Sequence, residues 1–123
     1  MRLVPVSLAI FAATASPVAA EVRLLMAEER GCIWCARWND EIAPAYPKTA
    51  EGRAAPLYRY DLQSDEAPAD LAARVHFTPT FILVRDGVEL SRIEGYPGED
   101  FFWGLLGQML SQADIEIGQE TQP

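Results

Sequence analysis

Gly31-Cys32-Ile33-Trp34-Cys35 holds both of the chain's cysteines, and its reading decides the fold. Two cysteines this close make a poor staple. In the chain-entropy treatment so short a loop stabilises by about 2 kcal/mol, against about 4.7 kcal/mol for a loop of about 100 residues. The same spacing suits a dithiol that opens and closes. Positions i and i+3 of a helix share a face, with Cβ atoms roughly 5–6 Å apart, near disulfide geometry. With Cys32 at a helix N-terminus, unpaired backbone N–H groups and the positive end of the helix dipole favour its thiolate. They draw its pKa below the free value of about 8.5. Cys32 is then the exposed attacker on a target disulfide, and Cys35, one turn deeper, is the resolving thiol.

Competing uses of the two cysteines are weaker. A structural zinc site needs four ligands, and beyond the cysteines the chain offers a single histidine, His76. No metal or other cofactor is expected. Copper(I) held by the dithiol is the non-enzymatic alternative, because soft thiolates suit it.

Outward from the cysteines the chain alternates strand and helix signals. Val22, Leu24 and Met26 alternate with more polar positions and read as a strand from Glu21 to Met26. Glu28 to Gly31 reads as a polar loop, and the helix that starts near Cys32 breaks at Pro44. Tyr46 to Pro56, with Pro47 and Gly52, reads as an irregular connection. A second strand runs from Leu57 to Leu62. Asp65 to Val75 suits a short helix, with Ser64 or Asp65 as its cap and Pro68 in its first turns. Thr80 to Val84 is β-rich, Asp86-Gly87 is a two-residue hairpin signal, and Val88 to Glu94 is the returning strand. After Pro97-Gly98, a last helix runs from about Glu99 to Leu110. Phe101, Phe102, Leu105, Leu106, Met109 and Leu110 form its core stripe, and Gly104 and Gly107 read as points of close approach to the sheet.

The order is β-α-β-α-β-β-α. A helical crossover favours parallel pairing of the first two strands, and the hairpin makes the last two antiparallel. The expected class is α/β: a central mixed β-sheet of about four strands flanked by helices, which cover both faces.

Residues 1–20 read as a signal peptide. Met1-Arg2 is a short basic start, Leu3 to Ala15 is apolar, and Val18-Ala19-Ala20 is a small-residue cleavage site. The apolar run is short for a membrane span, which takes about 20 residues. An uncleaved anchor is the alternative. Residues 21–112 form the expected domain, and 113–123 a polar, frayed tail. Export implies an oxidising compartment, where a dithiol stays reduced only if a donor supplies electrons. The formal net charge is −8, which excludes nucleic acid and anionic lipid as natural partners. A monomer is expected.

Cys-x-x-Cys on a first helix, then Phe77-Thr78-Pro79-Thr80-Phe81 entering a strand, then Asp86-Gly87 and a strand ending at Gly95, resembles the thioredoxin family from Val22 to about Leu110. The resemblance implies a thioredoxin-like fold and a thiol-disulfide oxidoreductase. It implies a cis Thr78–Pro79 peptide packed against the disulfide, with the Thr78 backbone free to pair with a substrate strand. Catalysis is expected at Cys32 and Cys35, and substrate binding at Ile33, Trp34, Thr78, Pro79 and Gly95. Three departures stand out. Gly31 replaces the usual tryptophan before the first cysteine, Ile33-Trp34 replaces Gly-Pro, and Met26 stands where the family buries an aspartate. Glu28 and Glu29 are the candidates to substitute as proton acceptor, though loop glutamates are more often simply solvated. His76 and Tyr96 are read as structural neighbours of the site.

Within the family, Pro44-Ala45-Tyr46-Pro47-Lys48-Thr49, Glu51-Gly52-Arg53, Gly95-Tyr96-Pro97-Gly98 and Phe101-Phe102-Trp103 resemble a narrower group. These are the exported thioredoxin-like proteins of bacterial sulfur-oxidation (Sox) gene clusters, the SoxS group. That resemblance implies a periplasmic reductant of the sulfur-carrier protein of a thiosulfate-oxidising system. A membrane thiol-electron transporter would be its donor. A disulfide oxidase or isomerase is the alternative direction.

Overall fold

Four consecutive side chains of β1 (Val22–Glu28), Leu24 to Ala27, are buried, so the strand sends apolar groups to both faces and must lie inside the sheet. β1 pairs parallel with β2 (Leu57–Asp61) and antiparallel with β3 (Thr80–Arg85), which in turn pairs antiparallel with β4 (Val88–Glu94). The order is β2-β1-β3-β4, a mixed four-stranded sheet. Asp86 and Gly87 turn the hairpin with φ of 51° and 78°, the left-handed values a type I′ turn requires. The computed structural model describes residues 20–118 continuously, and 1, 10 and 12–14 besides. The signal segment expected at 1–20 and the end of the tail therefore fall largely outside the described residues.

One face carries the main core. Leu24, Met26, Phe81, Leu83 and Ile93 of the sheet meet α1 (Ile33–Glu41) and α3 (Glu99–Gln112). Trp38 of α1 sits at its centre, fully buried, with ring centroids 5.1 Å from Phe81, 5.7 Å from Phe102 and 6.1 Å from Tyr46. The core stripe of α3 is narrower than the sequence suggests. Phe102, Leu106, Met109 and Leu110 are buried, whereas Phe101 and Leu105 are exposed. Gly104 and Gly107 have open space where a Cβ would stand, so they do not serve close packing on the sheet. The tail is not frayed where it is described: Ala113, Ile115 and Ile117 pack back against this core.

The stretch expected to be irregular, 46–56, contains a 3₁₀ turn (Tyr46–Lys48) and a short helix α2 (Ala50–Ala54). Thr49 caps α2, accepting the Gly52 N–H at 3.0 Å and donating its hydroxyl to the Tyr46 carbonyl at 2.7 Å. A Cβ on Gly52 would lie 1.8 Å from that carbonyl, so only glycine fits there.

The helix expected over Asp65–Val75 is absent, and irregular chain covers the second face of the sheet. Leu62, Ala69, Leu71 and Val75 pack there on Leu25, Ala27, Tyr60, Ile82 and Val84. Tertiary partners take the backbone groups a helix would use. The Asp70 N–H donates to the Gly87 carbonyl at 2.7 Å, and the Glu89 N–H donates to the Asp70 carbonyl at 3.0 Å. The Glu89 carboxylate accepts the Ala72 N–H at 2.9 Å. Arg92 donates to the Ala73 and Arg74 carbonyls at 2.7 and 3.3 Å. Glu89 and Arg92 pair at 2.7 Å with side chains only 5 % and 13 % exposed.

Hydrogen bonds from Arg92 hold the Glu89 carboxyl below the ordinary range against the opposing effect of burial, and the Ala72 N–H adds to them. A depressed native pKa contributes stability that is present above the unfolded value of about 4.3 and lost as pH falls through the native value. Urea unfolding at pH 7 and pH 3 should show wild type losing more stability than Glu89→Gln across that window. Arg92→Met should cost about 2 kcal/mol at pH 7, because it leaves a nearly buried carboxylate short of its charged partner.

Candidate active site

Strand register gathers the functional loops at one end of the sheet. Ala27 lies opposite Thr80, Glu28 opposite Asp61, and Thr80 opposite Glu94. The loops that leave β1, β2 and β4 therefore meet the loop that enters β3. Cys32 is the N-cap of α1, with extended backbone, and its Sγ accepts the Cys35 N–H at 3.1 Å. Gly31, just before it, has φ +82°, a left-handed turn that glycine makes at little cost. Cys32 and Cys35 form a disulfide with Cα atoms 5.2 Å apart. Cys35 is 4 % exposed, and Cys32 is half-buried. Ile33 and Trp34 stand out into solvent at 78 % and 52 % exposure.

The Thr78–Pro79 peptide is cis. Pro79 is buried, and its carbonyl accepts the Gly95 N–H at 2.8 Å, which joins the loop before β3 to the end of β4. Thr78 is tied in the other direction, toward the cysteine loop. Its hydroxyl donates to Glu29 at 2.7 Å, and the Glu29 carbonyl accepts the Cys32 N–H at 3.3 Å. Cys32, Glu29, Thr78, Pro79 and Gly95 thus form one hydrogen-bonded and covalent chain of neighbours.

A second chain of contacts supports the opposite rim. The Arg37 guanidinium lies over the Trp34 ring at 5.6 Å, Arg37 donates to Glu41 at 2.8 Å, and the Tyr96 hydroxyl donates to the other oxygen of Glu41. Tyr96 follows Gly95, so α1 and the end of β4 are joined through Glu41. Hydrogen bonds from Tyr96 and then Arg37 hold the Glu41 carboxyl below its ordinary range. Burial, and then the Glu41 contact, push the Tyr96 phenol well above its own.

The chain superposes on the crystal structure of the periplasmic thioredoxin SoxS from Paracoccus pantotrophus, in its reduced form. The TM-score is 0.73 and the identity 55 %, over 76 % of this chain and 99 % of that one. The chain belongs to the thioredoxin family. No family model matches it, and no curated protein does. A thioredoxin fold with Cys32 and Cys35 at Cys-x-x-Cys spacing makes the chain a thiol-disulfide oxidoreductase acting on protein thiols.

As a thioredoxin it departs from the family at the buried carboxylate. Met26 is fully buried, and the charge that reaches it is positive. Arg59 Nη1 lies 3.5 Å from Met26 Sδ and 2.6 Å from Glu28 Oε2, with its guanidinium 5.7 Å over the Trp38 ring. A groove of about 590 Å³ beside the disulfide is lined by Glu28, Glu29, Cys32, Cys35, Asn39 and Asp61 among others. Glu28 is thus taken up by Arg59 and Glu29 by Thr78. The Asp61 carboxyl accepts the Gln63 and Ser64 N–H groups and is lowered by them. His76 is exposed and its ring faces Phe77 at 6.5 Å. Among the described residues, no three His, Cys, Asp or Glu side chains gather as a metal site.

Sequence reasoning missed Phe77, which stands 59 % exposed beside Thr78. An aromatic residue next to a Thr-Pro pair in a polar loop was the available signal. It also missed the Arg37–Glu41 brace, whose i,i+4 spacing is legible. Glu41→Ala should bring the Tyr96 phenol part of the way back toward about 10, leaving the elevation due to burial. Ultraviolet titration of the tyrosinates, compared between variant and wild type, measures this.

Proposed function

We propose that the chain is an exported reductant that uses Cys32 as nucleophile and Cys35 as resolving thiol on a partner protein's cysteine. The carrying observation is the asymmetry of the pair: Cys32 caps a helix at the surface, and Cys35 lies one turn deeper, almost wholly covered. The Cys32 thiolate attacks one sulfur of the target disulfide, forming a mixed disulfide and releasing the first target thiolate. The Cys35 thiolate attacks the Cys32 sulfur, closing the internal disulfide and releasing the second. Two electrons pass from dithiol to target. With a target persulfide, attack on the outer sulfur frees the target thiolate, and Cys35 then displaces hydrosulfide.

Likeness to a periplasmic SoxS supports the sulfur-carrier protein of a thiosulfate-oxidising system as target, and a membrane thiol transporter as donor. It also supports reading the protein as periplasmic and 1–20 as a cleaved export signal. Ile33, Trp34, Thr78, Pro79 and Gly95 form the substrate surface, to which Phe77 adds an apolar contact. Reduced protein alkylated across a pH series should be modified first at Cys32, with an apparent pKa below about 8.5. Modification of Cys35 first would overturn the assignment. Cys35→Ser should trap the partner as a mixed disulfide through Cys32.

The oxidase direction is the second reading, and the fully buried Met26, standing where the family buries a carboxylate, favours it. Without that carboxylate, the unpaired N–H groups at the start of α1 stabilise the Cys32 thiolate and so the reduced form, which makes the couple more oxidising. The potential should lie between roughly −270 and −120 mV. Acid-quenched alkylation of whole cells oxidising thiosulfate should find Cys32 and Cys35 as thiols. A fully oxidised pool would turn the function toward disulfide formation.

A further inference from the structure

Glu29 is a loop glutamate that sequence alone leaves to solvent, yet its carboxylate is fully engaged. Oε1 accepts the Thr78 hydroxyl at 2.7 Å and Oε2 accepts the Gln63 amide at 2.9 Å, while the carbonyl accepts the Cys32 N–H at 3.3 Å. Three loops meet on this one residue: its own, before α1; the turn after β2; and the loop before β3. The Thr78 partner is 49 residues away in sequence. Pro79 has no N–H, and its carbonyl is taken by Gly95 on the far side. Among the described residues, the side-chain bond to Glu29 is the hydrogen bond that links Thr78 to the cysteine loop.

We propose that Glu29 is a positioning residue that fixes the backbone of Thr78 relative to Cys32, so that a target strand lying along Thr78 presents its sulfur to the nucleophile. This rests on the reading of Thr78 as a substrate edge. Hydrogen bonds to a carboxylate are shorter and stronger than neutral ones. A displaced edge loses main-chain pairing with the target strand, a loss of binding that is read in KM. A small disulfide needs no strand edge and should be indifferent to the tie.

The test compares insulin, turned over with dithiothreitol regenerating the dithiol, with 5,5′-dithiobis(2-nitrobenzoic acid) as a stoichiometric oxidant of the reduced protein, with melting temperatures recorded for each variant. Glu29→Ala should raise KM for insulin about tenfold with kcat within about twofold, and should leave the rate with the small disulfide within about twofold. Thr78→Val should match it on insulin, and the double variant should be no worse than either single, as expected for two halves of one interaction. Thr78→Ser, which keeps the hydroxyl, should recover most of the insulin KM lost in Thr78→Val. Glu29→Gln keeps an acceptor for that hydroxyl and should raise KM less than about threefold, which provides a reading even if the alanine variant folds poorly. Equal losses on both oxidants would mean that Glu29 acts on the dithiol itself and would overturn the proposal. So would effects of Glu29→Ala and Thr78→Val that multiply in the double variant, or an unchanged KM for insulin in Glu29→Ala. Wild-type protein that turns over the small disulfide but not insulin would remove the substrate edge at Thr78 and the role of Glu29 together.

Discussion

Pairing of β1 on both of its edges is the constraint from which the site follows. Leu24 to Ala27 must be covered on two faces, which forces β1 to the inside of the sheet. Its parallel register with β2 brings Asp61 level with Glu28, and its antiparallel register with β3 brings Thr80 level with Ala27. The end of β1 therefore delivers Cys32 to the same rim at which Pro79 enters β3. Loops outside the carboxyl ends of parallel strands are the usual location of sites in α/β sheets. Here the antiparallel β3 adds its amino end to that rim, which is how a proline far along the chain comes to stand with the cysteines.

Support for the rim is polar and reaches it from two sides. Glu29 ties the cysteine loop to Thr78, and Glu41 ties α1 to Tyr96. Beneath them lies an apolar floor of Trp38, Phe81 and Phe102 in mutual contact. A rigid aromatic floor with hydrogen-bonded walls fixes the N-terminal turn of α1, where the helix's unpaired N–H groups act on Cys32. Met26 belongs to that floor, and the charged group that touches it is Arg59, paired with Glu28 rather than buried alone.

Local signals that agreed with tertiary demands were legible in the sequence. Asp86-Gly87 specifies a hairpin whatever surrounds it, Pro44 limits α1, and Cys-x-x-Cys with Thr78-Pro79 locates the site. Signals that competed with tertiary partners misled. Asp65 to Val75 has helical pattern, but Glu89 and Arg92, which lie on β4, take its backbone groups. Phe101 and Leu105 continue an apolar stripe in sequence, but the rotation of α3 leaves them outside. Glu29 looked solvated because its partners, Gln63 and Thr78, are remote in sequence. Contacts of that kind have no local period to betray them.

The irregular cover of the second sheet face has a dynamic consequence. A segment held by an isolated bridge at Asp70 and by the side chains of Glu89 and Arg92 lacks the repeating bonds that make a helix open as one body. Its amides should exchange with solvent through small, independent openings while β1 and β3 stay closed. The same segment runs directly into Thr78 and Pro79. The loop opposite the cysteines is thus joined on one side to a strand paired on both edges and on the other to irregular chain, and protection along the chain should rise steeply across those two residues.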